Sequence, residues 1–222
     1  MDPSNCHVCR AAAVKLRHPF TAIVAGSTGA GKTVFISNLL RARHSMVHPP
    51  VERVIYSYAR FQQAYENLTG VEFVKGTDYV LDPSRPTLLI IDDQAGVCDK
   101  INVEQLFTVD SHHSNCSVIL VTQNLFQDCK SFRTAALNAQ YMFLFKSPRG
   151  AMQVSHLARQ MYPPARARRM VAAYADATKE PFSYLLVDMK SDTEDALRLR
   201  TCVLPQEGKQ FAGSRLTTCY RI

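Results

Sequence analysis

The stretch "VAGSTGAGKT", residues 24–33, decides the reading of this chain, and it runs straight into "VFISNLLRAR". Gly26, four further residues and then Gly31-Lys32-Thr33 reproduce the spacing of a phosphate-binding loop, G-x-x-x-x-G-K-[ST]. Glycines let successive backbone N–H groups converge into a concave anion nest, and a helix starting near Lys32 aims its positive dipole end at the same point. The motif has meaning only between a strand and a helix, and both flanks are present. "FTAIVAG" (20–26) is β-branched and apolar, while Val34, Phe35, Leu39 and Leu40 share one helical face. The loop residues Gly26, Ser27, Thr28, Gly29, Ala30, Gly31, Lys32 and Thr33 are therefore expected to cradle the phosphates of ATP. Lys32 would reach the β- and γ-phosphates and Thr33 would be a Mg²⁺ ligand. The plain alternative is an ordinary glycine-rich turn.

A length of 222 residues suits one α/β domain with a full core, and 46% hydrophobic with 20% charged residues is an ordinary globular balance. No apolar run approaches the ~18 residues that a membrane span needs. The start "MDPSNCHVCR" lacks the apolar centre of a signal peptide, so an intracellular protein without a membrane partner is expected. Seven cysteines at irregular spacing point to reduced thiols rather than a disulfide framework. Cys6-His7-Val8-Cys9 has a metal-like spacing, but neither His18 nor His112-His113-Cys116 supplies a finger-like second pair. Lys and Arg outnumber Asp and Glu by 26 to 19, a net charge of +7. An anionic partner such as nucleic acid fits that excess, and so does a merely soluble basic surface.

Between a loose arm (1–17) and a loose basic tail (206–222), strand-like and helix-like segments alternate. "RVIYSY" (53–58), "TLLIID" (87–92), "SVILVTQ" (117–123), "YMFLFK" (141–146) and "FSYLLVDM" (182–189) read as strands; "LRLRTCVL" (197–204) alternates like a half-exposed one. "FQQAYENL" (61–68) reads as a short helix. Pro163-Pro164 separates two longer ones, the second carrying Met170, Val171 and Tyr174 on one face and Arg166, Arg168 and Arg169 elsewhere, a solvated face or a DNA or subunit contact. The expected fold is an α/β P-loop architecture of the RecA-like kind, with a mainly parallel central sheet and helices on both faces.

The apolar strand "LLIIDD" ends in two acids. Asp92 is placed to support Mg²⁺ and Asp93 to polarise an attacking water, although any strand can end in an acidic turn. The next strand ends "VTQN", where Gln123, with Asn124 second, could report on the γ-phosphate or simply form the turn. An acid directly after the magnesium aspartate suits hydrolysis. A small-molecule kinase, with Arg149 and the 159–169 region as its lid, is the runner-up.

The ordered set "HPFTAIVAGSTGAGKTVFISNLL", "RVIYSYARFQQAYENL", "LLIIDDQ", "VILVTQNLF", "FRTAALNAQYMFLFKSPRG" and "PFSYLLVDMK" resembles the genome-packaging ATPases of eukaryotic double-stranded DNA viruses and Maverick/Polinton elements, the poxvirus-type branch of the FtsK/HerA superfamily. The resemblance covers residues 18–205. It implies a RecA-like core that assembles as a homo-oligomeric ring and uses ATP hydrolysis to move double-stranded DNA into a capsid. It also implies a capsid or portal-like partner, and work at the site of virus assembly in a host cell, the nucleus ahead of the cytoplasm. Ring members of the superfamily complete each site with a neighbour's arginine, for which Arg133 and Arg149 are the candidates here; either could instead be a surface ion pair. Many wider relatives carry Glu where Asp93 stands, and no fused nuclease is expected within residues 18–205. A DNA pump or helicase of HerA type would share every one of these residues, and a nucleotide-gated adaptor would bind ATP without turnover.

Overall fold

The computed structural model describes residues 15–92, 103–126, 129–148, 150–205 and 217–222, together with the backbone of Cys6–His7. The described residues form twelve strands: β1 (Cys6–His7), β2 (Leu16–Arg17), β3 (Thr21–Ala25), β4 (Val47–His48), β5 (Arg53–Tyr58), β6 (Glu72–Lys75), β7 (Thr87–Asp92), β8 (Cys116–Thr122), β9 (Tyr141–Phe145), β10 (Tyr184–Asp188), β11 (Leu199–Thr201) and β12 (Thr218–Tyr220). Ten of them make one sheet in the order β1-β12-β11-β10-β9-β3-β8-β7-β5-β6, and β2 pairs with β4 beside it. From β9 to β6 every pairing is parallel. From β9 through β10, β11 and β12 to β1 every pairing is antiparallel. The four longer helices are α1 (Lys32–Arg41), α2 (Lys130–Asn138), α3 (Gly150–Met161) and α4 (Pro164–Ala177).

The continuous apolar runs become strands because both of their faces are covered. Leu88 and Ile90 of β7 join Ala22 and Val24 of β3 in a core closed by Phe35, Ile36, Leu39 and Leu40 of α1. Leu89 and Ile91 face the other way and join a second core, closed by Phe132 of α2, Leu157 of α3 and Met170 of α4. Helices thus lie on both faces of a mostly parallel sheet, as the alternating sequence pattern implies. The edge strand β6 is only partly buried and carries Glu72 and Lys75 at its ends, charges that discourage edge-to-edge pairing.

Several local expectations differ. The 61–68 helix is reduced to a 3₁₀ turn over Gln63–Tyr65, because Tyr65 is drawn into the core by an aromatic cluster with Tyr56 and Phe73. The strand expected from residue 182 starts at Tyr184, since Phe182 has a left-handed φ of 62° that no strand accommodates. Leu199, Arg200 and Thr201 are all buried rather than alternately exposed, because β11 lies between β10 and β12. The last residues are not simply a tail: β12 closes on β11, and the Tyr220 hydroxyl donates to Asp176 Oδ2 at 2.8 Å. Likewise Leu16–Arg17, expected in the arm, pair with β4. Cys116, Cys202 and Cys219 take part in no disulfide, but Cys129 is disulfide-bonded, contrary to the expectation of reduced thiols throughout. Among the described residues no helix is long and apolar enough to cross a membrane, and no group of three or more His, Cys, Asp or Glu side chains could hold a metal ion.

Candidate nucleotide site

Parallel strands deliver their carboxyl ends to one edge of the sheet, where open α/β folds bind ligands. Here β8 lies between β3 and β7, with Ala25 opposite Thr122 and Val121 opposite Asp92. That order brings the end of the loop strand, the polar "TQN" turn and the acidic strand end side by side. The loop from Gly26 to Gly31 leaves β3 by way of a hydrogen bond from the Gly26 N–H to the Thr122 carbonyl, 3.2 Å.

Two loop glycines are required by their surroundings. A Cβ on Gly26 would stand 2.6 Å from Phe145 Cβ, which no real contact allows. Gly31 caps α1 with a φ of 99°, a conformation that costs side-chain-bearing residues dearly. Among the described residues no side chain caps α1 and no acidic residue lies in its first turn, which suits N–H groups that face an anion.

Lys32 begins α1 and is 9% exposed, unusual burial for a lysine. Its Nζ donates to the Gly26 carbonyl at 2.6 Å and to the Ser27 carbonyl at 3.0 Å, which folds the cation back over the loop. Thr33, half-buried, follows in the first turn, and its carbonyl accepts from Ser37 Oγ at 2.9 Å. Ser27 ties the loop to the residue after β9, donating from Oγ to the Lys146 carbonyl at 3.2 Å.

Asp92 closes β7 at 5% exposure. Its Oδ2 accepts hydrogen bonds from the Tyr56 hydroxyl at 2.7 Å and the Tyr65 hydroxyl at 2.6 Å, while the two rings lie 4.6 Å apart. Burial pushes the Tyr56 hydroxyl well above the ordinary tyrosine range and the Asp92 charge adds to it, so Tyr56 stays a donor at every working pH. Sequence reading did not find this clamp. A tyrosine inside a buried strand needs a partner for its hydroxyl, but nothing in the sequence says that the partner is 36 residues away.

Gln123 follows β8, is exposed, and lines a narrow cleft with Gly26, Leu125, Phe145 and Gln153, directly beside the loop. Asn124, also exposed, hydrogen-bonds through its backbone with Thr122 Oγ1 and so serves the turn. Gln153, which sequence reading missed, fixes that turn by accepting from the Leu125 N–H at 3.0 Å. Arg133 is exposed on the first turn of α2 and lines a different groove with Phe126, Leu137, Leu157 and Met161, whose described walls include no loop residue. Asp93 and Arg149 lie outside the described residues.

Thr33 and Asp92, the residues expected to hold Mg²⁺, offer a hydroxyl and a carboxylate, oxygen donors of the kind a hard divalent cation takes, and among the described residues no group of three or more His, Cys, Asp or Glu forms an all-protein cage. Such sites take the rest of their shell from substrate phosphates and water.

The architecture and the loop together are those of a P-loop NTPase fold. Among solved structures, the chain is similar to the genome packaging NTPase B204 from Sulfolobus turreted icosahedral virus 2, determined in complex with AMPPCP, at a TM-score of 0.50 and 14% identity, over 78% of this chain and 94% of that one. No family model matches the chain, and no curated protein matches it in sequence.

Proposed function

We propose that this chain is a Mg²⁺-dependent ATPase that drives double-stranded DNA into a viral capsid, a member of the poxvirus-type and Maverick/Polinton branch of FtsK/HerA motors working as a homo-oligomeric ring. The observation that carries the proposal is the buried Lys32 in a glycine loop at the end of β3, one strand removed from the buried Asp92 at the end of β7. The fold shared with a protein described as a genome packaging NTPase supports the choice among P-loop activities.

In this reading the loop N–H groups and the start of α1 bind the β- and γ-phosphates, and Lys32 exchanges its two carbonyl partners for phosphate oxygens. Thr33 and Asp92 would hold Mg²⁺, which would supply positive charge to offset that of the phosphates. The Tyr56–Tyr65 clamp fixes the Asp92 carboxylate through Oδ2. Asp93 takes the proton of the attacking water, and Gln123 contacts the terminal phosphate from the neighbouring strand end. Arg133 or Arg149 enters the site of the adjacent subunit, and surfaces facing the ring's pore contact the DNA backbone.

Steady-state ATP hydrolysis by the full chain, with and without long duplex DNA, tests the proposal. Duplex DNA is expected to raise turnover. Turnover that ignores DNA but requires an added small phosphoryl acceptor would overturn it in favour of a kinase.

A further inference from the structure

An exposed aromatic ring stands against the phosphate loop. Phe182 is 67% exposed, yet it holds a left-handed φ of 62°, a conformation that bulky residues avoid. Backbone strain of this kind persists where surrounding structure enforces it, and it concentrates at ligand clamps. The enforcement is visible on both sides. Tyr184, two residues on, is buried with its ring 4.8 Å from Phe35 and 5.2 Å from Phe145. Ser183 Oγ donates to the Glu180 carbonyl at 2.5 Å, which closes the turn around Phe182.

The ring's position is specific. A Cβ placed on Gly31 would meet Phe182 Cβ at 3.0 Å and Cδ1 at 3.1 Å, so the side chain packs on the glycine that caps α1. Val34 lies three residues further along α1, on the same helical face, and is 60% exposed. Two solvent-facing apolar groups therefore flank the start of α1. The sheet order sets the direction: Asp92 and Gln123 belong to the β8–β7 side of β3, and β10 belongs to the opposite side. A triphosphate whose terminal phosphate faces Asp92 leads its nucleoside toward β9 and β10, where Phe182 stands.

We propose that Phe182, with Val34 beside it, is the platform on which the nucleotide's base stacks, so that this chain recognises the purine ring and not only the phosphates. The proposal rests on the nucleotide-site reading above and adds the base subsite to it. A flat apolar face selects a heteroaromatic base by stacking and desolvation, with no hydrogen-bond code.

The test is calorimetric binding of ATP and of inorganic tripolyphosphate, each with Mg²⁺, to the full chain and to Phe182→Ala, Phe182→Leu and Phe182→Trp. Phe182→Leu retains bulk against Gly31 without a ring, and carries the test should Phe182→Ala fail to fold. Loss of the ring should weaken ATP about five- to 150-fold, leave tripolyphosphate unchanged, and be reversed by Trp. Unchanged ATP affinity in the ring-less variants would overturn the platform. Equal weakening of both ligands would overturn it too, because the ring would then only prop the loop. A parent chain that binds neither ligand would refute the nucleotide site itself, an outcome distinct from both.

Discussion

Replacing Tyr65 by phenylalanine removes one oxygen from the clamp on Asp92 and keeps the ring, which stacks on Phe73 at 5.6 Å and tilts against Tyr56 at 4.6 Å. The change therefore removes the hydrogen bond of 2.6 Å onto a carboxyl group that is 5% exposed. A hydrogen bond to a charged group contributes about 1.5–3 kcal/mol net. With a melting shift of about 2–4 °C per kcal/mol for a chain of this size, Tyr65→Phe should melt roughly 3–12 °C below the parent. Tyr56→Phe should behave alike. The double variant should lose more than the two single losses combined, because only then is Oδ2 buried without a donor, at a further cost of about 1–3 kcal/mol. Thermal melting of the four proteins without nucleotide measures this, together with Tyr65→Phe in an Asp92→Asn background. There the acceptor is neutral, and the penalty should fall to about 0.5–1.5 kcal/mol. An unchanged penalty in that background, or plain additivity in the double variant, would refute the clamp.

Gly26→Ala should disrupt the loop, since its Cβ would stand 2.6 Å from Phe145 Cβ; a stability loss of about 1–3 kcal/mol and weakened ATP binding are expected by melting and calorimetry. His18 is held neutral by burial, which depresses its pKa below 6.5 against the opposing hydrogen bond to Asn115. The unfolded chain thus takes up this proton first as pH falls, so stability should decline below about pH 6.5, and urea titrations of His18→Gln should lack that part of the slope. Mixing inactive Lys32→Ala chains with inactive Arg133→Ala or Arg149→Ala chains should restore activity for whichever arginine acts in trans, because one interface then pairs an intact loop with an intact arginine. Such arginines contribute about 10³ to 10⁵ in rate.

The inner strands of the parallel half were legible because each is buried on both faces and so appears as an unbroken apolar run: "RVIYSY" and "TLLIID" match β5 and β7 residue for residue, whereas the partly buried edge strand β6 was not read from the sequence. Residues 24–33 revealed the loop for a different reason, since its function needs small residues at fixed spacing whatever the surrounding sequence. The antiparallel half was harder. Alternation in "LRLRTCVL" suggested a half-exposed strand, yet Arg200 is buried by its ion pair with Asp188 at 2.5 Å, a contact between strands that local pattern cannot show. The Tyr56–Asp92 and Tyr65–Asp92 bonds span 36 and 27 residues, and no spacing rule links them. Phe182 was hidden by its own composition, because an aromatic residue ahead of "SYLLVDM" reads as a strand start until its φ is known.

Motion along duplex DNA tests the central claim most directly. A long duplex carrying a bound third strand is incubated with the full chain, Mg²⁺ and ATP, and release of the third strand is followed with time. The account predicts release that requires ATP hydrolysis and is absent with Lys32→Ala. A parent chain that hydrolyses ATP while the third strand stays bound, at the rate seen without protein, would contradict the assignment of this chain as a DNA-translocating motor.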